Sequence, residues 1–227
     1  DLIELSYIID RRIKTGAGNF KVWHQLEILI TSFILNKPLN NLSKEMGWMD
    51  IKKHIDKLCL QALSASNYSG TYDSKIKNSV LRSISENLDM SSNKIIKSNL
   101  IDIRNASKKR LKDSMIDRLV LNKERILSMQ EGLQQIIKIS DTLYKTSKGI
   151  RQNNGIIVSQ MRVPLGVIGM IYESRPNVTI DSAALCIKSG NSVILRGGSE
   201  SINSNKALMK CISLSLIHIS EPTRQFR

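Results

Sequence analysis

Arg162-Val-Pro-Leu-Gly-Val-Ile-Gly-Met-Ile-Tyr-Glu-Ser-Arg-Pro-Asn-Val-Thr179, followed by Ser189-Gly-Asn-Ser-Val-Ile-Leu-Arg-Gly-Gly-Ser-Glu200, settles the fold class. Val163 to Tyr172 is a nearly continuous apolar run, as expected of a strand buried on both faces in a parallel sheet. Pro176 suits the start of a helix whose stripe is Ile180, Ala183, Ala184 and Ile187. Gly190 suits the left-handed position that ends it, and Ser192-Val-Ile-Leu follows as the next strand. Strand, helix and strand in this order form a βαβ unit, whose crossover is expected to be right-handed.

Upstream, the period changes. Gly155-Ile-Ile-Val-Ser-Gln-Met-Arg-Val reads as an extended, β-branched segment. Residues 49–140 contain no proline and read as a helical layer. Its first helix carries Ile51, Ile55, Leu58 and Ala62 on one face and is broken by Asn67-Tyr-Ser-Gly-Thr-Tyr. A second, capped near Asp73, carries Ile76, Val80, Ile84 and Leu88. Ser91-Ser92 can cap a third, with Ile96, Leu100 and Ile103 as its face. A short turn of helix at Ser114-Met-Ile-Asp-Arg-Leu precedes a fifth, which Asn122 caps and Ile126, Met129, Leu133, Ile136 and Ile137 line. Residues 1–48 stand apart, with both tryptophans (Trp23 and Trp48), the phrase Gly16-Ala-Gly-Asn-Phe and no assignable motif. Their run Leu26 to Leu35 is too short to span a bilayer and contains a carboxylate, so it is expected to be a buried helix.

Composition bounds the function classes. The 227 residues suffice for a sizeable core, but at 4% aromatic content aliphatic side chains must fill most of it. The net charge of +14 comes from lysines scattered along helices, without interleaved aromatics. Solvated helix faces are the plain reading; a basic helical module that binds nucleic acid or another anion is the alternative. Cys59, Cys186 and Cys211 have neither metal-ligand spacing nor an even count for a disulfide framework, which fits a reducing cytoplasm. No signal peptide or membrane span is read from the chain.

Two turns leave the ends of the expected parallel strands, where open α/β sheets hold ligands. Arg196-Gly197-Gly198-Ser199-Glu200 offers a guanidinium, backbone that can approach a ligand closely, and a helix N-terminus, all suited to phosphate or ribose. A plain βα connection with glycine for geometry fits the same residues. The turn is neither a GxGxxG fingerprint nor a Walker motif. At the other turn, Glu173-Ser174-Arg175-Pro176-Asn177, Arg175 and Asn177 can hold an anionic substrate; alternatively, Asn177 caps the helix and Arg175 is solvated.

These phrases, with Ser204-Asn-Lys-Ala-Leu, Met115-Ile-Asp-Arg-Leu, Lys123-Glu-Arg-Ile and Glu131-Gly-Leu, closely resemble the gamma-glutamyl phosphate reductase (glutamate-5-semialdehyde dehydrogenase) family over roughly residues 49–213. The resemblance implies an α/β fold: a helical layer followed by an incomplete Rossmann-like parallel sheet of the aldehyde dehydrogenase type. It implies NADPH-dependent reduction of L-glutamyl 5-phosphate to glutamate 5-semialdehyde and phosphate in proline biosynthesis, through a cysteine thiolate and a thioacyl intermediate. By the same resemblance Arg196 is the leading cofactor residue; with it Gly197, Gly198, Ser199 and Glu200 form the expected cofactor turn, and Ser174, Arg175 and Asn177 are the expected substrate residues. No residue of Glu173-Ser174-Arg175 is the asparagine that the wider superfamily uses for its oxyanion, so that role stays unassigned. An intact family member is expected to be a homo-oligomer associating through an extended arm that includes Gly155 to Arg162, with no nucleic-acid or membrane partner.

The resemblance also implies a truncated chain. The family's nucleophilic cysteine lies well downstream of Arg196-Gly-Gly-Ser, and none of the three cysteines here has the setting of an activated thiol. The chain is therefore expected to be inactive alone. Ser215-Leu-Ile-His-Ile-Ser-Glu-Pro-Thr-Arg resembles a translated sequencing adapter, so residues 214–227 are expected to be a non-native tail. Residues 1–48 are expected to be upstream read-through or a fused partner, and 49–213 the N-terminal part of a cofactor-binding domain. A non-functional conceptual translation without a stable fold is a further reading, since a half-built sheet exposes an edge.

Overall fold

A computed structural model describes residues 48–220, with side chains over 52–216. Contacts divide the chain into two compact units, Asp1–Cys59 and Leu60–Arg227. Trp23, the Gly16–Phe20 phrase, the expected helix at 26–35 and the last seven residues lie outside the described part.

The helical layer consists of α1 (Trp48–Ser69), α2 (Ser74–Met90), α3 (Ser92–Lys108), α4 (Asp113–Leu119) and α5 (Lys123–Lys138). Two of its three expected caps form as the sequence suggests, while Ser91 holds the cap position of α3 without a side-chain hydrogen bond. The Asp73 carboxylate accepts from the Ile76 N–H and the Asn122 side chain from the Arg125 N–H, each satisfying a donor that the helix leaves open. An antiparallel hairpin follows, β1 (Ile150–Arg151) with β2 (Ile157–Val158), prolonged by a bridge between Thr146 and Met161. The extended segment expected from Gly155 is thus the second arm of a ribbon that starts earlier, turning at Gly155 with φ +88°.

The βαβ unit is β3 (Val167–Ile171), α6 (Asn177–Lys188) and β4 (Ser192–Arg196), with β3 and β4 parallel in the register Val167–Ser192 to Ile171–Arg196. A 3-10 turn (Ser199–Ser201) leads into α7 (Ile202–Ser220). Gly190 has φ +69°, and a Cβ there would lie 3.2–3.3 Å from Leu143, Gly70 and Pro164, so both conformation and space require glycine. Two expectations for β3 change. It starts only at Val167, because Pro164 has no N–H to pair and Gly166 bends the chain with φ +105°. Nor is it buried on both faces: among the described residues it pairs only with β4, and Gly169 and Ile171 are exposed.

The core joins α2, α3, α5, α6 and α7. Val80, Leu81, Ile84 and Leu88 meet Ile126, Met129 and Leu133, and Ile180, Ala183 and Ala184 close against Leu208, Cys211 and Ile212. Ile76 sits at the rim of the α2 stripe, 36% exposed. Helix α1 forms as expected, but Leu58 on its apolar stripe stays exposed.

The face of α3 is a correction. Leu100 is exposed and Ile96 and Ile103 only half-buried; the buried face is Ile95, Asn99, Asp102 and Ala106. Asn99 and Asp102 are each 1% exposed and fully engaged. Asn99 donates to the Leu119 carbonyl (2.7 Å) and the Ser204 hydroxyl (3.0 Å) and accepts from the Leu121 N–H (2.7 Å). The Asp102 carboxylate accepts from the backbone N–H and side-chain amide of Asn203 and from the backbone N–H and hydroxyl of Ser204, at 2.6–3.2 Å. It caps α7 from another helix, where the dipole also favours a negative charge.

A second polar cluster pins the far end of the layer. Lys77, 3% exposed, pairs with Asp141 at 3.1 Å. Lys188 donates to the Asn78 side chain (2.7 Å) and the Ile137 carbonyl (3.0 Å). Burial alone would raise the Asp141 pKa, but the Leu143 N–H, the Lys77 ammonium and, through its field, Lys188 outweigh it, so the carboxyl is held below its usual value.

Two tests follow from these clusters. Asp102→Ala strands four donors at a buried helix start and should cost about 3 kcal/mol in urea denaturation, with Asp102→Asn costing less. Because the Asp141 pKa is depressed on folding, its contribution is present above the unfolded carboxyl value of about 3.9 and is lost as pH falls through the lower folded value. Asp141→Asn should therefore lower the melting temperature at neutral pH and flatten its fall with acid below about pH 4.

Candidate functional site

The two turns singled out in the sequence leave the C-terminal ends of β3 and β4 side by side. The Tyr172 N–H donates to the Arg196 carbonyl at 3.0 Å, carrying the strand pairing to the brink of both turns. Beyond it, a Cβ on Gly198 would lie 2.5 Å from the Glu200 carboxylate and 3.4 Å from the Ser174 backbone nitrogen. A Cβ on Gly197 would collide with the Asn205 amide and stand 3.1 Å from the Tyr172 ring. Neither residue has a positive φ, so it is space that asks for glycine at Gly197, against Asn205 and the Tyr172 ring, whereas at Gly198 the Glu200 carboxylate can swing aside and the Ser174 nitrogen stands at ordinary contact distance.

Beneath the turn lies a line of hydrogen bonds whose donors are fixed by its two ends. Ser201 Oγ donates to the Gly198 carbonyl (3.3 Å) and accepts from Asn205 Nδ2 (3.0 Å). Thr179 Oγ1 donates to Asn205 Oδ1 (3.1 Å), which leaves it to accept from the Tyr172 hydroxyl (2.6 Å). Tyr172, Thr179, Asn205 and Ser201 thus tie the strand end, α6 and α7 to the glycine turn. Burial raises the Tyr172 hydroxyl pKa, against the Thr179 hydrogen bond and the Arg196 charge.

On the turn itself, Arg196, Gly197, Gly198, Ser199 and Glu200 are all half-buried. Burial lowers the Arg196 guanidinium pKa, while the Glu200 carboxylate and Tyr172 pull it back up. Ser199 Oγ donates to Glu200 Oε1 at 3.1 Å. A guanidinium, a hydroxyl and a carboxylate therefore share one part-exposed turn, a set of donors and an acceptor that fits the phosphates and ribose hydroxyls of a nucleotide.

Ser174, Arg175 and Asn177 separate. Ser174 is 5% exposed and stays with the glycine turn. Arg175 is exposed, and with Asn177 it lines a different cleft, of about 360 Å³, between α6 and the α4–α5 region. Asn177 is the first residue of α6, not its cap; the cap position is Pro176, and the Asn177 amide donates to Asp181 at 3.2 Å. The cleft also takes in Asp117, Arg118, Arg125 and Asp181, which no sequence pattern groups with Arg175. The one available hint was the Met115-Ile-Asp-Arg-Leu phrase, read there only as part of the family pattern.

All three cysteines are free thiols. Cys186 and Cys211 are buried, and burial pushes both thiols up, away from the thiolate form a nucleophile needs. Cys59 is exposed on α1. Among the described residues no group of three or more His, Cys, Asp or Glu side chains can hold a metal ion, and no helix is long and apolar enough to cross a membrane.

No protein-family model matches the chain. A curated gamma-glutamyl phosphate reductase from Halothermothrix orenii is 46% identical over 164 residues, covering 72% of this chain and 39% of the relative. The crystal structure of gamma-glutamyl phosphate reductase from Thermotoga maritima superposes with a TM-score of 0.66 at 36% identity, covering 69% of this chain and 38% of that one. A Bacillus subtilis protein assigned as an aldehyde dehydrogenase matches at TM-score 0.58 and 18% identity, over 74% of this chain and 34% of its own, which shows the shared fold. The chain spans about two fifths of the length of the curated relatives it matches. In sequence and in fold, the chain is similar to the gamma-glutamyl phosphate reductases over that part of their length.

Proposed function

We propose that residues 49–213 form the N-terminal part of the cofactor-binding domain of a reductase that converts L-glutamyl 5-phosphate to glutamate 5-semialdehyde and phosphate, a step of proline biosynthesis in the cytoplasm. The observation that carries this reading is the pair of abutting turns at the ends of two parallel strands, one of them presenting Arg196, Ser199 and Glu200 on closely packed glycine backbone. NADPH, when bound, supplies the hydride. Arg196 faces its phosphates or ribose as a fixed positive charge, and Glu200 accepts from ribose hydroxyls. Ser174 holds the neighbouring turn against Gly198, and the Tyr172–Thr179–Asn205–Ser201 line keeps the glycine backbone from relaxing.

The covalent step needs a thiolate. Cys186 and Cys211 are unsuited to it by burial and Cys59 lies on α1, away from both turns in sequence, so the nucleophile is assigned to a part of the reductase outside this sequence and no turnover is expected from the chain alone. In the intact protein the hairpin at 146–161 is proposed as the arm of a homo-oligomer: Ile150, Ile157, Val158 and Met161 are each at least half exposed on it. Burying such a ribbon against a second copy would remove apolar surface from water.

Binding to this chain tests the cofactor assignment. NADPH should bind saturably by fluorescence titration, and Arg196→Gln should weaken it about tenfold, as expected for loss of one charge-assisted contact. Equal affinity of wild type and Arg196→Gln, with both folded by circular dichroism, would contradict it. Thr179→Val removes the middle of the line under the turn; an affinity loss of several-fold is expected for NADPH, and about 1 kcal/mol of stability.

A further inference from the structure

Helices α3 and α7 frame another cavity, of about 380 Å³, which shares no lining residue with the glycine turn or with the arginine cleft of Arg118, Arg125 and Arg175. Its rim is cationic. Lys94 reaches it from α3, and Lys206 and Lys210 from α7. All three are exposed, and among the described residues none pairs with a carboxylate. No Asp or Glu lines the cavity, in contrast to the arginine cleft, where Asp117 and Asp181 stand among the arginines. Asn203 also lines it, but the carboxylate that Asn203 holds, Asp102, is buried and taken up by its four donors. Lys206 and Lys210 lie four residues apart on one side of α7, with attachment points about 6 Å apart along its axis. The floor is apolar: Ile95 and Cys211 are buried and Ala207 half-buried. The Ser98 hydroxyl, half-buried on the α3 wall, has no hydrogen-bond partner among the described residues.

Three ammoniums from two helices converge on one concavity, and each raises the potential at the other two. A bound anion removes that repulsion. The net charge of +14 opposes a second copy of this chain as the occupant. No aromatic side chain lines the cavity for a base to stack on, which disfavours nucleic acid. The volume suits a small ligand, and the apolar floor asks for carbon as well as charge. We infer that the α3–α7 cavity binds a compact organic polyanion: two or three carboxylate or phosphate groups on a short aliphatic body. The ammoniums of Lys94, Lys206 and Lys210 take the anionic groups, Ser98 Oγ donates to one of them, and the aliphatic body lies on Ile95, Ala207 and Cys211. The site is separate from the cofactor turn and does not depend on the reductase reading.

Citrate, an organic trianion, and pyrophosphate, which carries similar charge without carbon, test the inference. Each is titrated into the full chain at fixed ionic strength and followed by backbone NMR and by melting temperature. Citrate should shift the amides of 94–98 and 203–211 saturably, raise the melting temperature, and bind several-fold more tightly than pyrophosphate. Lys206→Gln should weaken citrate about fivefold, as expected for loss of one charged contact, and Lys94→Gln should do the same from the opposite wall. With no anion present, Lys206→Gln should melt no lower than wild type, because it relieves repulsion. A lower melting temperature would overturn the inference, since the lysine would then serve the fold rather than a ligand. It is overturned equally if citrate shifts scatter over the other basic helices, if none saturate at millimolar citrate, or if pyrophosphate binds as tightly as citrate.

Discussion

A single buried carboxylate, Asp102, fixes where the glycine turn ends. It sits 1% exposed on α3 and takes four hydrogen bonds from Asn203 and Ser204 at the start of α7. The 3-10 turn and the two glycines lie immediately before that start, so the carboxylate clamps one end of the turn while β4, in register with β3, clamps the other. Asn99, one helical turn earlier, extends the clamp to the Leu119–Leu121 connection and so to the wall of the arginine cleft. The polar face of one helix thereby positions both candidate sites.

That face was also the part of the fold least legible in the sequence. Helical periodicity in α3 points to Ile96, Leu100 and Ile103, and hydropathy has no way to rank Asn99 and Asp102 as interior residues. Their burial is tolerable only because every donor and acceptor finds a partner on α7 or the α4–α5 connection, and those partners are remote in sequence. By contrast, the βαβ unit was legible because local chemistry punctuates it: Pro176 opens α6, and Gly190, with φ +69°, closes it. The helix caps at Asp73 and Asn122 were legible for the same reason. Where the reading of β3 overshot, Pro164 and Gly166 were the overlooked local signals.

The candidate site divides in the same way. The residues of the glycine turn form a contiguous string, so sequence alone could group them. The arginine cleft gathers α4, α5 and α6, and only packing brings Arg118 and Asp181 to one wall. Asn177 illustrates the boundary: its place before an apolar stripe reads first as a helix cap and only second as a ligand group, and its amide instead steadies Asp181. The line from Tyr172 to Ser201 was likewise invisible, since a threonine and an asparagine on separate helices carry no pattern of their own.

Backbone hydrogen exchange with and without NADPH would decide whether the glycine turn of this chain binds NADPH. Selective slowing at Gly197 to Ile202 and at Ser174, with the hairpin at 150–158 unchanged, is the expected result. Slowing confined to the basic faces of α1–α3, or none at saturating NADPH, would contradict the assignment.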